Sequence, residues 1–258
     1  METVPISDCG RNVCDTNKGK DAVPPSMITI IGTIHVVDIA EPIMFIIKHI
    51  WPQAVLVELD MTRYNAMNGQ SSEKKDDDFW IVKHTAEYQK NLAEKNRSAV
   101  GNEMLTAVQT GRLVGAEIGF IDDNASVMIK RAWTEMTFME RFRYRMSMIR
   151  DKFRRQKDIQ KIIDDSEYSD QAIAAFRKSY PNMSRILIDE RNEMMAEQIK
   201  KYCDRYDEIV VVVGDAHVEG LSALLPDKDI RKIRLADILH KERLDAVRAS
   251  VWNEGREG

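Results

Sequence analysis

The run Thr29-Ile30-Ile31-Gly32-Thr33-Ile34-His35-Val36 returns near the other end of the chain as Val211-Val212-Val213-Gly214-Asp215-Ala216-His217-Val218. Each copy is a β-branched run followed by Gly-x-x-His-Val. Such a run reads as a buried strand, and the glycine as the turn that ends it. Each histidine is then expected just past the carboxyl end of its strand. In open α/β sheets that edge is where ligands bind. Two histidines delivered in the same way to one edge predict one shared site.

The rest of the chain fits an α/β frame. After the first strand (27–31) a helix is expected, with Asp38 and Glu41 spaced as a capping box and Ile43, Ile47 and Ile50 on one face. Trp51-Pro52 ends it. A second strand (54–59) closes a strand–helix–strand unit, which requires parallel pairing and a right-handed crossover. A third strand is expected at 116–121, a fourth at 209–213 and a last at 230–235. The middle is helical. Lys74-Lys75-Asp76-Asp77-Asp78 marks an exposed turn, and one long helix is expected over 125–153, because Ile129, Trp133, Met136, Met139, Phe142, Met146, Ile149 and Phe153 recur at spacings of three and four. Further helices are expected at 167–178 and 183–205. The expected architecture is a mixed, largely parallel sheet with flanking helices and a helical insertion. It forms a single domain over 27–250, with tails at 1–26 and 251–258.

Bulk properties exclude several classes. At 258 residues with 43% hydrophobic content the chain can bury a sizeable core. A net charge of -4 argues against generic nucleic-acid binding. Cys9, Cys14 and Cys203 are too few and too scattered for a disulfide framework, which points to a reducing, cytoplasmic setting. No apolar run approaches a membrane span, and the N-terminus has no signal-peptide core.

Four strand ends carry groups that bind metals or protons: His35, Glu58, Asp122 and His217. Two histidines and a carboxylate are a common three-ligand set for a catalytic metal. A metal-free arrangement serves equally, with one histidine as base, the other as acid and a carboxylate orienting them. Asp122 has a second reading as the cap of the next helix. Arg191 lies amid Leu187, Ile188, Met194, Met195 and Tyr202, all within about 60° on a helical wheel. A guanidinium there needs a buried carboxylate or a cleft to point into. It is therefore a candidate for stabilising an oxyanion or clamping Glu58. Glu103, in the first turn of its helix, serves either the helix dipole or the site.

Together these residues resemble the TraB family of pheromone-shutdown proteins, widespread as an archaeal domain. They also resemble the wider group that includes the Tiki proteases, GumN-like proteins, erythromycin esterases and ChaN-like haem-binding proteins. The likeness runs through Gly32-Thr33-Ile34-His35-Val36, Val57-Glu58-Leu59-Asp60 with Arg63, and Gly101-Asn102-Glu103-Met104. It continues through Ile121-Asp122 with Lys130-Arg131-Ala132-Trp133, Asp189-Glu190-Arg191-Asn192 with Met195-Ala196, and Val213 to Gly220. It departs from the family at Asp123, where an arginine is usual, and at Asp215-Ala216, where Ala-Gly is common. Membrane-spanning helices follow the domain in many archaeal relatives and are not expected here.

The resemblance implies a Tiki- and esterase-like α/β fold and a divalent metal (Mn, Co or Zn) on His35, Glu58 and His217. It implies catalytic roles for Glu58, Glu103, Asp122, Arg191 and Asn192, and substrate contacts from Thr33, Arg63 and Asp215. The chain is expected to be a metal-dependent hydrolase of peptidase type with a peptide or small-molecule substrate. The alternative is a non-catalytic protein that sequesters such a ligand in the same cleft.

The stretch 141–157 carries eight basic residues and one acid, Asp151, interleaved with Phe142, Tyr144, Met146, Met148, Ile149 and Phe153. A basic amphipathic helix of this kind reads as a solvated outer face, a peripheral membrane contact or a homodimer seam.

Overall fold

Five expected runs become strands: β1 (Met27–Thr33), β2 (Ala54–Val57), β3 (Glu117–Phe120), β4 (Glu208–Gly214) and β5 (Asp229–Ile233). They are seen in a computed structural model that describes residues 26–34, 37–69, 79–95, 101–151 and 166–254. His35 and Val36, the N-terminal tail up to residue 25 and the turn at 74–78 lie outside the described residues. The strands form one sheet in the order β3-β2-β4-β1-β5. Every pairing is parallel, which sharpens the expected mixed, largely parallel sheet. Helices connect the strands, and parallel neighbours require such crossovers.

The chain first steps one way across the sheet, through α1 (Ala40–Ile50) to β2, then through α2 (Met61–Met67), α3 (Trp80–Lys95) and α4 (Asn102–Val114) to β3. It returns through α5 (Ala125–Glu135), α6 (Phe138–Asp151), α7 (Ser166–Ser179), α8 (Pro181–Ser184), a π turn (Arg185–Glu190) and α9 (Arg191–Cys203) to β4. It then passes through α10 (Asp215–Leu224) to β5, and closes with α11 (Leu235–Leu239) and α12 (Lys241–Glu254). Right-handed crossovers place helices of opposite steps on opposite faces. Strand side chains alternate accordingly. Ile31, Val55, Val57, Val210 and Val212 share a core with Ile43 and Ile47 of α1 and Met104 and Val108 of α4. Ile28, Ile30, Leu56, Val211 and Val213 share the other with Met195 and Ile199 of α9 and Leu221 of α10.

A third cluster, with Ile81, Met128, Trp133, Met136, Met183 and Ile186, holds the helical insertion together. Here the expected helix over 125–153 is corrected, because it is two helices. Met136 is extended, with ψ 138. The Thr137 N–H donates to Glu140 (2.7 Å), and Thr137 Oγ1 accepts from the Glu140 N–H (3.2 Å). This reciprocal capping box starts a new helix inside the apolar period. α1 also departs slightly from expectation: Asp38 accepts from the Ala40 N–H, and Ile39 is the cap. At the other end Val251 is buried, so α12 continues to Glu254, past the expected boundary at 250.

Candidate active site

β1 and β4, which carry the two copies of the repeat, are direct neighbours, with Gly32 opposite Val213 and Thr33 opposite Gly214. Both glycines stand close to other groups. A Cβ on Gly32 would fall 2.3 Å from Asp215 Oδ1 and 3.2 Å from Asp215 Cα. One on Gly214 would fall 3.3 Å from Glu58 Oε2. Neither glycine has positive φ, so at Gly32 the requirement is space rather than turn geometry.

α10 starts directly after β4, which puts His217 in its first turn at the carboxyl edge of the sheet. Glu58 follows β2 and Asp122 follows Ile121 after β3, at the same edge. Arg191 opens α9 just after the π turn and ties these ends together. Its Nε donates to Asp122 Oδ1 at 3.0 Å, and its Nη2 to Asp122 Oδ2 at 2.7 Å and Glu58 Oε1 at 2.5 Å. Nη1 reaches the Leu187 carbonyl at 3.3 Å and lies 3.4 Å from His217 Nε2. The other oxygen of Glu58 accepts from the Gly214 N–H at 2.6 Å, linking the ends of β2 and β4. A π turn widens the helix by one residue and is frequent at functional sites. The ideal wheel around Arg191 therefore does not run across it: Ile188 and Met195 go to the core while Arg191 goes to the strand ends.

His217 is buried and has one ring nitrogen on each side of the problem. Nδ1 is 2.7 Å from Asn192 Oδ1, and Nε2 is 3.4 Å from Glu58 Oε1. With the amide oxygen of Asn192 as acceptor, Nδ1 carries the proton and Nε2 the lone pair. Asn192 reaches this position because Gly220, one helical turn beyond His217, has no side chain. A Cβ there would lie 2.1 Å from Asn192 Nδ2.

The charges are nearly withdrawn from water. The Glu58 and Asp122 side chains are 5% and 0% exposed, and that of Arg191 is 13% exposed. Burial pushes the Asp122 carboxyl above its usual range; Arg191 opposes the shift and the Glu58 charge adds to it. Burial works against the Arg191 charge, but Glu58 and Asp122 together hold the guanidinium more firmly protonated than usual. Two buried carboxylates thus share one guanidinium, with half-exposed Arg63 a further 3.9 Å from Asp122 Oδ2.

The structure therefore brings together Glu58, Asp122, Arg191, Asn192 and His217, with Arg63 at the margin. Glu103 is buried in the first turn of α4, whose start faces the same sheet edge because α4 runs back toward the beginning of β3. Thr33 is buried and donates to the Val213 carbonyl at 3.1 Å. Asp215 turns the other way, accepting from Arg234 Nε (2.9 Å) and Nη2 (2.8 Å) and from the Leu235 N–H (2.9 Å). Gly220, Arg234 and the π turn were not singled out in the sequence. Only Gly220 left a trace, as a glycine inside a helical pattern.

A search of protein families matches residues 19–231 to the TraB/PrgY/gumN family. The chain is also 28% identical over 212 residues to the uncharacterized protein MJ1365 of Methanocaldococcus jannaschii, an alignment that covers 75% of this chain and 52% of the relative. The chain thus spans about half the length of that relative.

Proposed function

Because the chain belongs to the TraB/PrgY/gumN family, we propose that its strand-end cluster is the active site of a hydrolase acting on peptide or other amide bonds. The observation that carries this reading is the imidazole of His217, fixed by Asn192 at Nδ1 while Nε2 faces Glu58 and Arg191. A fixed tautomer that leaves the lone pair on Nε2, held here only by the long 3.4 Å contact to Arg191 Nη1, is what a general base needs. His217 Nε2 takes a proton from water as the oxygen attacks the carbonyl carbon. The Glu58 carboxylate beside it stabilises the imidazolium. Arg191 holds Glu58 in place, and its Nη1, which is not committed to a carboxylate, favours the oxyanion that develops on the carbonyl. The imidazolium then returns the proton to the departing amine.

The family resemblance adds a divalent metal on His35, Glu58 and His217. Glu58 and His217, 3.4 Å apart, would be two of its ligands, with Arg191 and the Gly214 N–H each occupying one lone pair of the Glu58 carboxylate and orienting it. His35, the third ligand of that set, lies outside the described residues. The steps above use only the chain's own described groups. Metal analysis of the protein and of His35→Ala and His217→Ala tests this choice. Bound Mn, Co or Zn that disappears in both variants would make His217 a ligand instead of a base.

The proposal is tested by incubating the chain with a mixed peptide pool and detecting new amino termini by mass spectrometry. Turnover that disappears in His217→Ala supports it. Saturable peptide binding without turnover, surviving Glu58→Gln, would replace it with sequestration.

A further inference from the structure

The break at Thr137 turns the apolar stripe of the sequence inside out. Up to the break it faces inward, with Ile129 half-buried and Trp133 and Met136 buried. On α6, Phe138, Met139, Phe142 and Met146 are 80%, 58%, 52% and 49% exposed. At 100° per residue these four cover about 100° of the helix, and Arg145 and Arg143 stand about 20° and 40° beyond its two edges. Both arginines are exposed.

The opposite face is polar and aromatic, and it anchors the helix. Arg141 donates to the Trp133 carbonyl at 3.1 Å and the Thr134 carbonyl at 2.6 Å. Tyr144 meets Trp133 and Tyr180 edge-on. Glu140 accepts from the Asn182 N–H and side-chain amide, both at 2.8 Å. A helix held firmly by its polar side while presenting its largest apolar side chains marks an interaction surface.

We propose that α6 is an interfacial helix that lays Phe138, Met139, Phe142 and Met146 into an anionic lipid surface, with Arg143 and Arg145 at the level of the phosphates. Charge complementarity selects this occupant. Between residues 138 and 150 the one acidic residue is Glu140, which is buried, so the exposed face carries only positive charge on a chain of net charge -4. The eight basic residues of 141–157 extend the same sign. A symmetric pairing of α6 with α6 of a second copy would bring the positively charged faces of Arg143 and Arg145 together. The length also fits: α6 has 14 residues, about 21 Å, suited to lying in the interface. Among the described residues no helix is long and apolar enough to cross a membrane. This proposal does not rest on the hydrolase reading.

The test is co-sedimentation of the full chain with vesicles of phosphatidylcholine alone or mixed with phosphatidylserine, at low and high salt. Binding is expected on the mixed vesicles at low salt, falling as salt rises and weak on neutral vesicles. Phe142→Glu should reduce it about tenfold or more, the equivalent of losing one buried aromatic side chain. Arg143→Glu should reduce it on the anionic vesicles only. Met146→Glu is the second apolar variant, and circular dichroism checks that each variant keeps its helices. No binding at low salt, equal binding to both vesicle types, or binding unchanged in both apolar variants would overturn the proposal. A dimer in light scattering that Phe142→Glu dissociates, without vesicle binding, would assign the face to a second copy and overturn it as well.

Discussion

Glu190 and Arg191 are adjacent in the chain and belong to two different arginine–carboxylate networks. On the outside, Arg131 donates to Glu135 at 2.7 Å and to Glu190 at 2.6 Å, and Arg185 pairs with the same two carboxylates. On the inside, Arg191 donates to Asp122 and Glu58. The bonding is alike, but the Arg131 side chain is 43% exposed and that of Arg191 13%. Water and salt screen the outer pairs, so each contributes little. The inner groups have given up hydration, so each depends on the others being present. The π turn separates the two networks, sending consecutive side chains to opposite sides.

Removing the inner cation should have the largest effect. Arg191→Met leaves two buried carboxylates without their guanidinium and should cost about 3–5 kcal/mol in urea unfolding. A loss below about 1 kcal/mol would mean that the inner network is no more coupled than an outer one. Next, His217→Ala should lower peptide turnover about 100-fold or more with the fold intact. Asn192→Ala should lower it less, because the ring loses the partner that sets its tautomer but keeps its place. Gly220→Ala should behave like Asn192→Ala, although alanine ordinarily favours a helix by up to about 1 kcal/mol. An active, more stable Gly220→Ala protein would show that Asn192 does not need its position.

Asp122 gives a smaller effect with a definite sign. Its folded pKa lies above the ordinary 3.8. Its contribution to stability is therefore complete below 3.8 and is lost as pH rises through the folded value. Asp122→Asn should flatten the decline in urea midpoint as pH rises above 3.8, and an unchanged slope would make Asp122 an ordinary carboxylate. Smallest of all, Glu190→Gln should leave the melting temperature within about 2 °C of the parent. A larger fall would show that the outer network braces the π turn and through it Arg191.

Much of this was legible in the sequence. The five strands lie close to where the sequence predicts them; the three central ones, β1, β2 and β4, are buried on both faces and so leave near-continuous apolar runs, while the edge strands β3 and β5 carry charged, exposed residues. Glu58, Asp122 and His217 were legible as strand-end groups, and Arg191 as a charge in an apolar setting that needed a carboxylate. The break at Thr137 was written in the sequence too, as Thr-x-x-Glu, but the strong three-and-four spacing around it hid the signal. The π turn was hidden for a different reason: hydrogen-bond register over one turn leaves no fixed residue pattern.

What the sequence determined by itself was therefore local and periodic: strand positions, helix spans, and the delivery of polar groups to one sheet edge. Only the tertiary structure decided which groups meet. Arg191 is 69 residues from Asp122 and 133 from Glu58, separations that local spacing cannot encode. The same holds for direction. Periodicity aligned Trp133 and Phe142 on one stripe, yet one is buried and the other faces outward. A helical period specifies which side chains share a face; the packing of neighbouring elements decides where that face points.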